Sequence, residues 1–169
     1  MSIWQSGGVN QQGHDNAPAF VHAWTETTGQ TLVMTADTHY VADQMDATGP
    51  ELGVDWDTST GFLTIGADGG GHYFLVLTAT CRSNTNNTEL DIHGQKLIGE
   101  TWTDQTNMGI AATEMRTSNS PYQLATVGCF TAAAGDQYRF ELRSDTNATI
   151  TFDYLSILIY RVAETALLP

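Results

Sequence analysis

The chain has 169 residues, and its 6 Lys and Arg residues against 19 Asp and Glu residues give a formal net charge of −13 at pH 7. This length suits one domain with a single core, and the acidity leaves no positive surface for nucleic acid or an anionic membrane. No apolar run approaches the roughly 20 residues of a membrane span. We therefore expect one globular domain whose partners include neither nucleic acid nor a membrane.

Residues 1–17 are polar and rich in Gly, Gln and Asn, with one apolar pair at Ile3 and Trp4. We interpret them as a flexible N-terminal arm, which is either a frayed terminus or a segment that anchors the protein to a partner by inserting Ile3 and Trp4. The arm lacks the basic start and apolar core of a secretory signal, which predicts a chain that is cytosolic at birth. The domain itself is predicted over 18–163, followed by a C-terminal tail over 164–169.

Alternation of apolar and polar residues predicts strands along the rest of the chain, separated by turn-forming residues. Residues 43–53 have the composition of a loop, and a tight turn is predicted at His93 and Gly94. Residues 99–120 have no sustained period and are either a long loop or two weak strands. The predicted strands are 19–24, 30–36, a strand directly after Gly61, 73–78, 89–92, 95–98, 123–131, 138–143 and 149–160.

The strands at 73–78 and 149–160 carry apolar side chains on both faces. In the second of them, alternation places Ile150, Phe152, Tyr154, Leu158 and Tyr160 on one face and Leu155, Ile157 and Ile159 on the other. No segment has a helical period. The chain is therefore predicted to be all-β, a ten-strand β-sandwich of jelly-roll type.

Several motifs follow one another in a recognisable order. They are WDTSTG at 56–61, Thr64, GHYFL at 71–75, GDQY at 135–138 and SILIY at 156–160, with Ala19 and Phe20 in the opening strand. In this order they resemble the globular head of the complement first-component q subunit and its tumour-necrosis-factor-like relatives, over roughly residues 18–162. The resemblance implies a jelly roll that assembles as a homotrimer.

A trimer would also give cover to the second apolar face of the central strands. A sandwich buries only one face of each sheet, so we expect the other face to meet neighbouring subunits. The candidate interface residues are Tyr73, Phe74, Val76, Leu155, Ile157 and Ile159.

The sequence shows no catalytic constellation. Its five histidines form no pair at metal-ligand spacing, and no Ser or Cys has the context of a nucleophile, so we expect no enzyme, no metal site and no cofactor. Ca²⁺ bound by loop carboxylates is an alternative, although turn formation explains the same aspartates at least as well. The candidate pairs are Asp55 with Asp57 and Asp43 with Asp46. Cys81 and Cys129 are expected to be two buried free thiols rather than a bridge.

Three functions compete on this basis. The favoured one is a non-enzymatic, trimeric structural or interaction protein that decorates or cements a virion (phage) capsid, suggested by the acidic chain without a signal and by its free arm. The alternative is the receptor- or glycan-binding head domain of a fibre or secreted ligand, as the family resemblance implies. A β-sandwich hydrolase or lyase is disfavoured. The expected partners are copies of the chain, a capsid or other virion protein, or a host receptor or glycan, at the virion surface or otherwise extracellular.

Overall fold

A computed structural model describes residues 19–108 and 110–163. Within these residues, thirteen strands form two antiparallel sheets, and no α-helix is present. The predicted arm at 1–17, with Ile3 and Trp4, and the predicted tail at 164–169 lie outside the described residues.

The first sheet contains the two longest strands. Its strands are β1 (Phe20–Trp24), β2 (Gln30–Met34), β4 (Ala47–Thr48), β7 (Gly71–Ser83), β11 (Tyr122–Ala132) and β13 (Ala148–Ala163). Their order across the sheet is β11-β7-β13-β1-β4, and β2 also pairs with β13. Strand β13 therefore lies at the centre and contacts β7, β1 and β2.

The second sheet is built from shorter strands around a central pair. Its strands are β3 (His39–Val41), β5 (Val54–Asp57), β6 (Phe62–Ile65), β8 (Thr88–Ile98), β9 (Thr101–Asp104), β10 (Ile110–Met115) and β12 (Gln137–Ser144). Their order is β10-β8-β12-β6-β5, with β3 beside β12 and β9 beside β8. A 3-10 turn at Thr106–Met108 joins β9 to β10, so the second of the two interpretations of 99–120, two strands, is the right one.

The core lies between the sheets and includes several large aromatic side chains. Tyr73 stacks on Phe130 with ring centroids 5.4 Å apart, and Phe130 in turn contacts Tyr138 at 4.9 Å. Phe140 and Phe152 are also fully buried. Each such side chain contributes roughly 1.5–3 kcal/mol by leaving water, so these contacts between the sheets account for much of the stability of the sandwich.

The two faces of β13 differ from the predicted ones, because the strand contains a β-bulge. Opposite β7, Phe152 pairs with Cys81 and Tyr154 pairs with Thr80, which leaves Asp153 as an extra residue. An extra residue shifts the two-residue alternation by one position. The inward side chains are therefore Ile150 and Phe152 before the bulge and Leu155, Ile157 and Ile159 after it, while Tyr154, Leu158 and Tyr160 are exposed.

The predicted turn at His93 and Gly94 does not form, because β8 continues without interruption from Thr88 to Ile98. A Cβ atom at position 94 would lie only 2.8 Å from the Cβ of Met108. Glycine is therefore needed here for the close approach of the 3-10 turn rather than for a chain reversal. The Gln105 amide, just before that turn, also donates to the Gly94 carbonyl at 2.9 Å.

The predicted fold class, an all-β jelly-roll sandwich, is confirmed. The strand count is higher than ten because short strands such as β3, β4 and β9 have too few residues for an alternation to be recognised. None of the described residues forms a helix of the length and apolarity that crossing a bilayer would need.

Candidate functional site

The outer side of the first sheet presents a continuous surface built from four neighbouring strands, β1, β13, β7 and β11. Its side chains alternate with the core residues of the same strands, and the strand register aligns them in three rows. The rows are Phe20, Tyr160, Phe74 and Cys129; His22, Leu158, Val76 and Val127; and Trp24, Ser156, Thr78 and Ala125. We call these twelve residues the first-sheet face.

The first-sheet face has no carboxylate, Lys or Arg among its twelve residues, although the chain contains 19 Asp and Glu residues. Aromatic rings contact each other within it, with centroids 4.9 Å apart for His22 and Trp24 and 5.4 Å apart for Phe74 and Tyr160. Leu158 is 37% exposed and Val127 is 61% exposed. A contiguous aromatic and aliphatic surface of this kind is typical of contact with another molecule.

One serine and one histidine hydrogen-bond within this face, His22 Nε2 lying 3.0 Å from Ser156 Oγ. A nucleophilic serine needs a histidine that is itself oriented by a third group, usually a carboxylate. Across residues 19–108 and 110–163, no carboxylate hydrogen-bonds or ion-pairs with His22. The pair satisfies two polar groups on an apolar surface and lacks the arrangement of a catalytic dyad.

The predicted interface residues divide between the two sides of the sheet. Phe74 and Val76 lie in the first-sheet face. Tyr73, Leu155, Ile157 and Ile159 are 0% exposed within a single chain and belong to its own core. The prediction is therefore corrected for these four residues, because a side chain enclosed between the two sheets is not accessible to another subunit. For β13 the cause is the bulge at Asp153, which exchanges the outward and inward sets.

A second arrangement lies on the outer side of the second sheet, where three neighbouring strands bring together His39, His93 and Glu141. Glu141 is directly opposite His93 in the pairing of β12 with β8, and His39 comes from β3 on the other side of β12. His39 Nδ1 lies 2.8 Å and His93 Nε2 lies 3.5 Å from Glu141 Oε2. Their ligand atoms all lie within 4.8 Å of one another. We call these three residues the His-Glu cluster.

Charged and polar neighbours fix the His-Glu cluster in place. Arg139 donates to the other carboxylate oxygen of Glu141, and its Nε donates to Gln95 at 2.9 Å. Asp104 Oδ1 lies 3.4 Å from His93 Nε2. Beside the cluster is a cavity of about 280 Å³ whose lining includes His39, His93, Asp104 and Thr106.

Two of the four aspartates considered for Ca²⁺ accept hydrogen bonds from the backbone, Asp57 within its own turn and Asp46 from a distant part of the chain. Asp57 accepts hydrogen bonds from the Ser59 amide at 2.8 Å and the Ser59 hydroxyl at 2.6 Å, and these bonds lower the pKa of Asp57. Asp46 accepts from the Glu26 amide at 2.7 Å, which lowers its pKa. Neither Asp55 nor Asp57 belongs to a group of three converging ligand residues in the part of the chain that the structure describes.

Both cysteines are free thiols. Cys81 lies in the core, where burial and, to a smaller extent, the charge of Asp153 raise the pKa of its thiol to about 12. A thiol with such a pKa is protonated at neutral pH and is a poor nucleophile. Cys129 is exposed in the first-sheet face, so the expectation that both thiols are buried holds only for Cys81.

Known structures share this architecture. The Eiger tumour necrosis factor from S. frugiperda aligns with a TM-score of 0.60 at 12% identity, covering 88% of this chain and 93% of that chain. The globular domain of zebrafish complement 1qA aligns with a TM-score of 0.58 at 11% identity, covering 87% and 99% of the two chains. Murine APRIL at pH 5.0 gives a TM-score of 0.51 at 10% identity, covering 84% and 98%.

These similarities define the fold: the chain is a jelly roll of the tumour-necrosis-factor-like type, as the motif order predicted. No family model matches the sequence, and no curated protein matches it. The fold is thus shared with these structures although the sequence identity is low. Only a few sequence features, such as the turn before Gly61 and the aromatic strand after it, still indicate the fold.

Sequence reasoning missed the His-Glu cluster. Its three residues are far apart in the chain, and only the pairing of β3, β12 and β8 brings them together. The available signal was a histidine or glutamate at an outward position of each strand. For His93 the sequence pattern predicts a turn, so its outward position on a strand could not be recognised.

Proposed function

We propose that the protein is a non-enzymatic homotrimer that acts as a binding or ligand head domain, with the first-sheet face as its subunit interface. The observation that carries the proposal is the uncharged, aromatic character of this face in a chain with a net charge of −13. Interface cores between subunits are enriched in aromatic residues and depleted of charged ones. The family resemblance implies the threefold symmetry.

Electrostatics favour this face over any other for self-association. Copies of an acidic chain repel one another, and a carboxylate brought into a subunit contact loses its hydration. Contact through the first-sheet face avoids the second cost because no carboxylate belongs to it. The central position of Leu158, between His22 of β1 and Val76 of β7, makes it the side chain that contact would bury most completely.

The absence of catalytic function is part of the same proposal. The buried Cys81 thiol has a pKa of about 12, and the Ser156–His22 pair has no carboxylate partner among the described residues. Binding therefore has to come from shape and surface chemistry. A receptor or another extracellular protein is the partner class we propose. Decoration of a virion surface stays a prediction, since its main support is an arm that lies outside the described residues.

Light scattering coupled to size-exclusion chromatography tests the assembly. The wild-type chain is expected to elute as a trimer at micromolar concentration, and Leu158→Asp as a folded monomer, because it places a charge in the middle of the interface. Ile98→Asp is the matched control: Ile98 is also an exposed aliphatic residue, 56% accessible, but it lies on the second sheet. It should remain trimeric.

Two results would contradict the proposal. One is a wild-type chain that is monomeric at micromolar concentration. The other is dissociation by Ile98→Asp to the same extent as by Leu158→Asp, which would place the contact away from the first-sheet face. Circular dichroism of both variants shows whether they remain folded.

A further inference from the structure

We propose that the His-Glu cluster, formed by His39, His93 and Glu141, is a binding site for a divalent transition metal, with Zn²⁺ as the ion that fits it best. The proposal does not depend on the trimer, because all three residues come from one chain and lie on the opposite sheet from the first-sheet face.

Two of the distances between ligand atoms match the edges of a tetrahedral site. With bonds of roughly 2.0–2.2 Å, the edges of a tetrahedral Zn²⁺ site are about 3.4 Å long. His93 Nε2 lies 3.5 Å from Glu141 Oε2 and 3.4 Å from Asp104 Oδ1. The third distance, 2.8 Å from His39 Nδ1 to Glu141 Oε2, is that of a hydrogen bond. His39 is 45% exposed at its side chain, so it has room to move the short distance that coordination requires.

The polar chemistry of the cluster is incomplete without an ion. His93 Nε2 is buried and has no hydrogen-bond partner, although two carboxylate oxygens lie within 3.5 Å of it. A buried polar atom that lacks a partner is uncommon in a folded protein and calls for an explanation such as an ion. A metal placed between His93 and Glu141 would accept the lone pairs of both at once.

The surroundings of Glu141 resemble the support of a metal ligand. The carboxylate is almost fully buried, and Arg139 holds one of its oxygens, so the other oxygen is directed at the two histidines. Residues that orient a ligand in this way commonly accompany metal sites. Asp104, or a water from the adjacent cavity of about 280 Å³, is placed to supply a fourth ligand.

The donor set distinguishes between metals. Two imidazole nitrogens with one carboxylate suit Zn²⁺ and its transition-metal neighbours. Ca²⁺ instead takes six to eight oxygen ligands at 2.3–2.6 Å, which this cluster does not provide. The ion proposed here thus differs both in kind and in position from Ca²⁺ at the loop aspartates.

Isothermal titration calorimetry with ZnCl₂ tests the site on untagged, full-length protein that has been treated with EDTA and dialysed. We expect one Zn²⁺ per chain for the wild type. His39→Gln should weaken binding by at least about tenfold, since even the loss of a residue that only orients a ligand costs 10–100-fold in affinity. Visible absorption of bound Co²⁺, a spectroscopic substitute for Zn²⁺, gives an independent readout of ligation.

His72→Gln is the matched control, because His72 is an exposed histidine on β7 of the other sheet, hydrogen-bonded to Thr131 at 2.9 Å. It should bind Zn²⁺ like the wild type. His93→Gln is a second test, and His39→Gln remains decisive if the more buried variant fails to fold. The proposal is overturned if the wild type takes up no Zn²⁺, if His39→Gln binds as tightly as the wild type, or if His72→Gln weakens binding as much as His39→Gln does.

Discussion

The first-sheet face and the outer side of the second sheet differ in charge, although both are built from alternating residues of antiparallel strands. On the first sheet, the first-sheet face has aromatic, aliphatic, hydroxyl and thiol side chains and no carboxylate, Lys or Arg. On the second sheet, Arg143 pairs with Asp91 at 2.8 Å, and Arg139 pairs with Glu141. The inner surfaces of both sheets are apolar, as a sandwich requires. The chemistry of each outer surface therefore indicates what that surface contacts outside the chain.

The distribution of cations strengthens this comparison. Of the 6 Lys and Arg residues of the chain, Arg139, Arg143 and Lys96 lie on β12 or β8, where each pairs with a carboxylate. The first sheet carries Arg82 on β7, which pairs with Asp153, and Arg161 on β13, but all three lie outside the twelve residues of the first-sheet face. Ion pairs that face water are tolerated at little cost, whereas charges enclosed in an interface have to be fully compensated. We infer that the second sheet faces solvent and that, on the first sheet, the first-sheet face contacts protein.

The largest expected effect comes from truncating the inner side of β13. Leu155→Ala should lower the free energy of unfolding by about 2–5 kcal/mol, because Leu155 is fully buried and its loss leaves a cavity. Leu158→Ala, on the other side of the same strand, removes the same atoms from an exposed position. Leu158→Ala should lower the free energy of unfolding only slightly in dilute protein. This loss should grow with protein concentration, since unfolding of an oligomer is coupled to dissociation.

Urea unfolding at several protein concentrations measures both losses. If Leu155→Ala and Leu158→Ala are equally destabilising at every concentration, the two sides of β13 are equivalent and the comparison between the faces fails. The bulge at Asp153 makes the experiment informative, because simple alternation from Ile150 would have assigned these two leucines to the reverse sides.

A smaller effect is expected from the ion pair between Lys96 of β8 and Asp136, which directly precedes β12. Asp136 accepts from Lys96 Nζ at 2.6 Å, from the Ala133 amide at 2.7 Å and from the Tyr138 hydroxyl at 3.3 Å. Asp136→Asn should lower the free energy of unfolding by about 1–3 kcal/mol at pH 7, the range for hydrogen bonds to charged groups. Lys96→Met is the partner change, and the double variant should lose less than the sum of the two single losses.

The pH dependence of this loss follows from the carboxyl group. Burial alone would raise the pKa of Asp136, but the hydrogen bonds from Lys96 and Ala133 outweigh it, and the pKa lies below its ordinary value. The stabilisation is therefore present above the unfolded-state pKa of about 3.9 and is lost as the pH falls through the folded-state pKa. The difference in the free energy of unfolding between wild type and Asp136→Asn should therefore become smaller in acid. A difference that does not change with pH would mean that the charge of Asp136 does not contribute to it.

The parts of the fold that depend on local pattern could be predicted from sequence. The strands at 73–78, 123–131 and 138–143 all exist, and the motif order identified the jelly-roll type. The roles of two residues could not be predicted from local pattern. Asp153 shifts the alternation of β13, and Gly94 has its role in a contact with Met108. Both depend on tertiary pairing, which no local window of sequence contains.

The two candidate sites also differ in how far the sequence alone predicts them. The apolar excess on the central strands predicted that one face would need cover from another molecule, although the bulge exchanged the two sides of β13. The His-Glu cluster had only one outward histidine or glutamate per strand as a local signal, because His39, His93 and Glu141 meet only through the order of β3, β12 and β8. A metal site assembled across strands requires the sheet register before its ligands can be grouped.

The smallest expected effect is that of salt on the assembly, and it distinguishes the two surfaces directly. Raising NaCl from 0.1 M to 1 M shortens the Debye length from about 10 Å to about 3 Å, which screens the repulsion between copies that each carry a charge of −13. Apolar burial is not weakened by salt in that way. Sedimentation equilibrium should therefore find the trimer intact or slightly tighter at 1 M NaCl. Release of monomers by salt would show that the subunits meet through ionic contacts, of which the first-sheet face has none, and would move the interface to the charged second sheet.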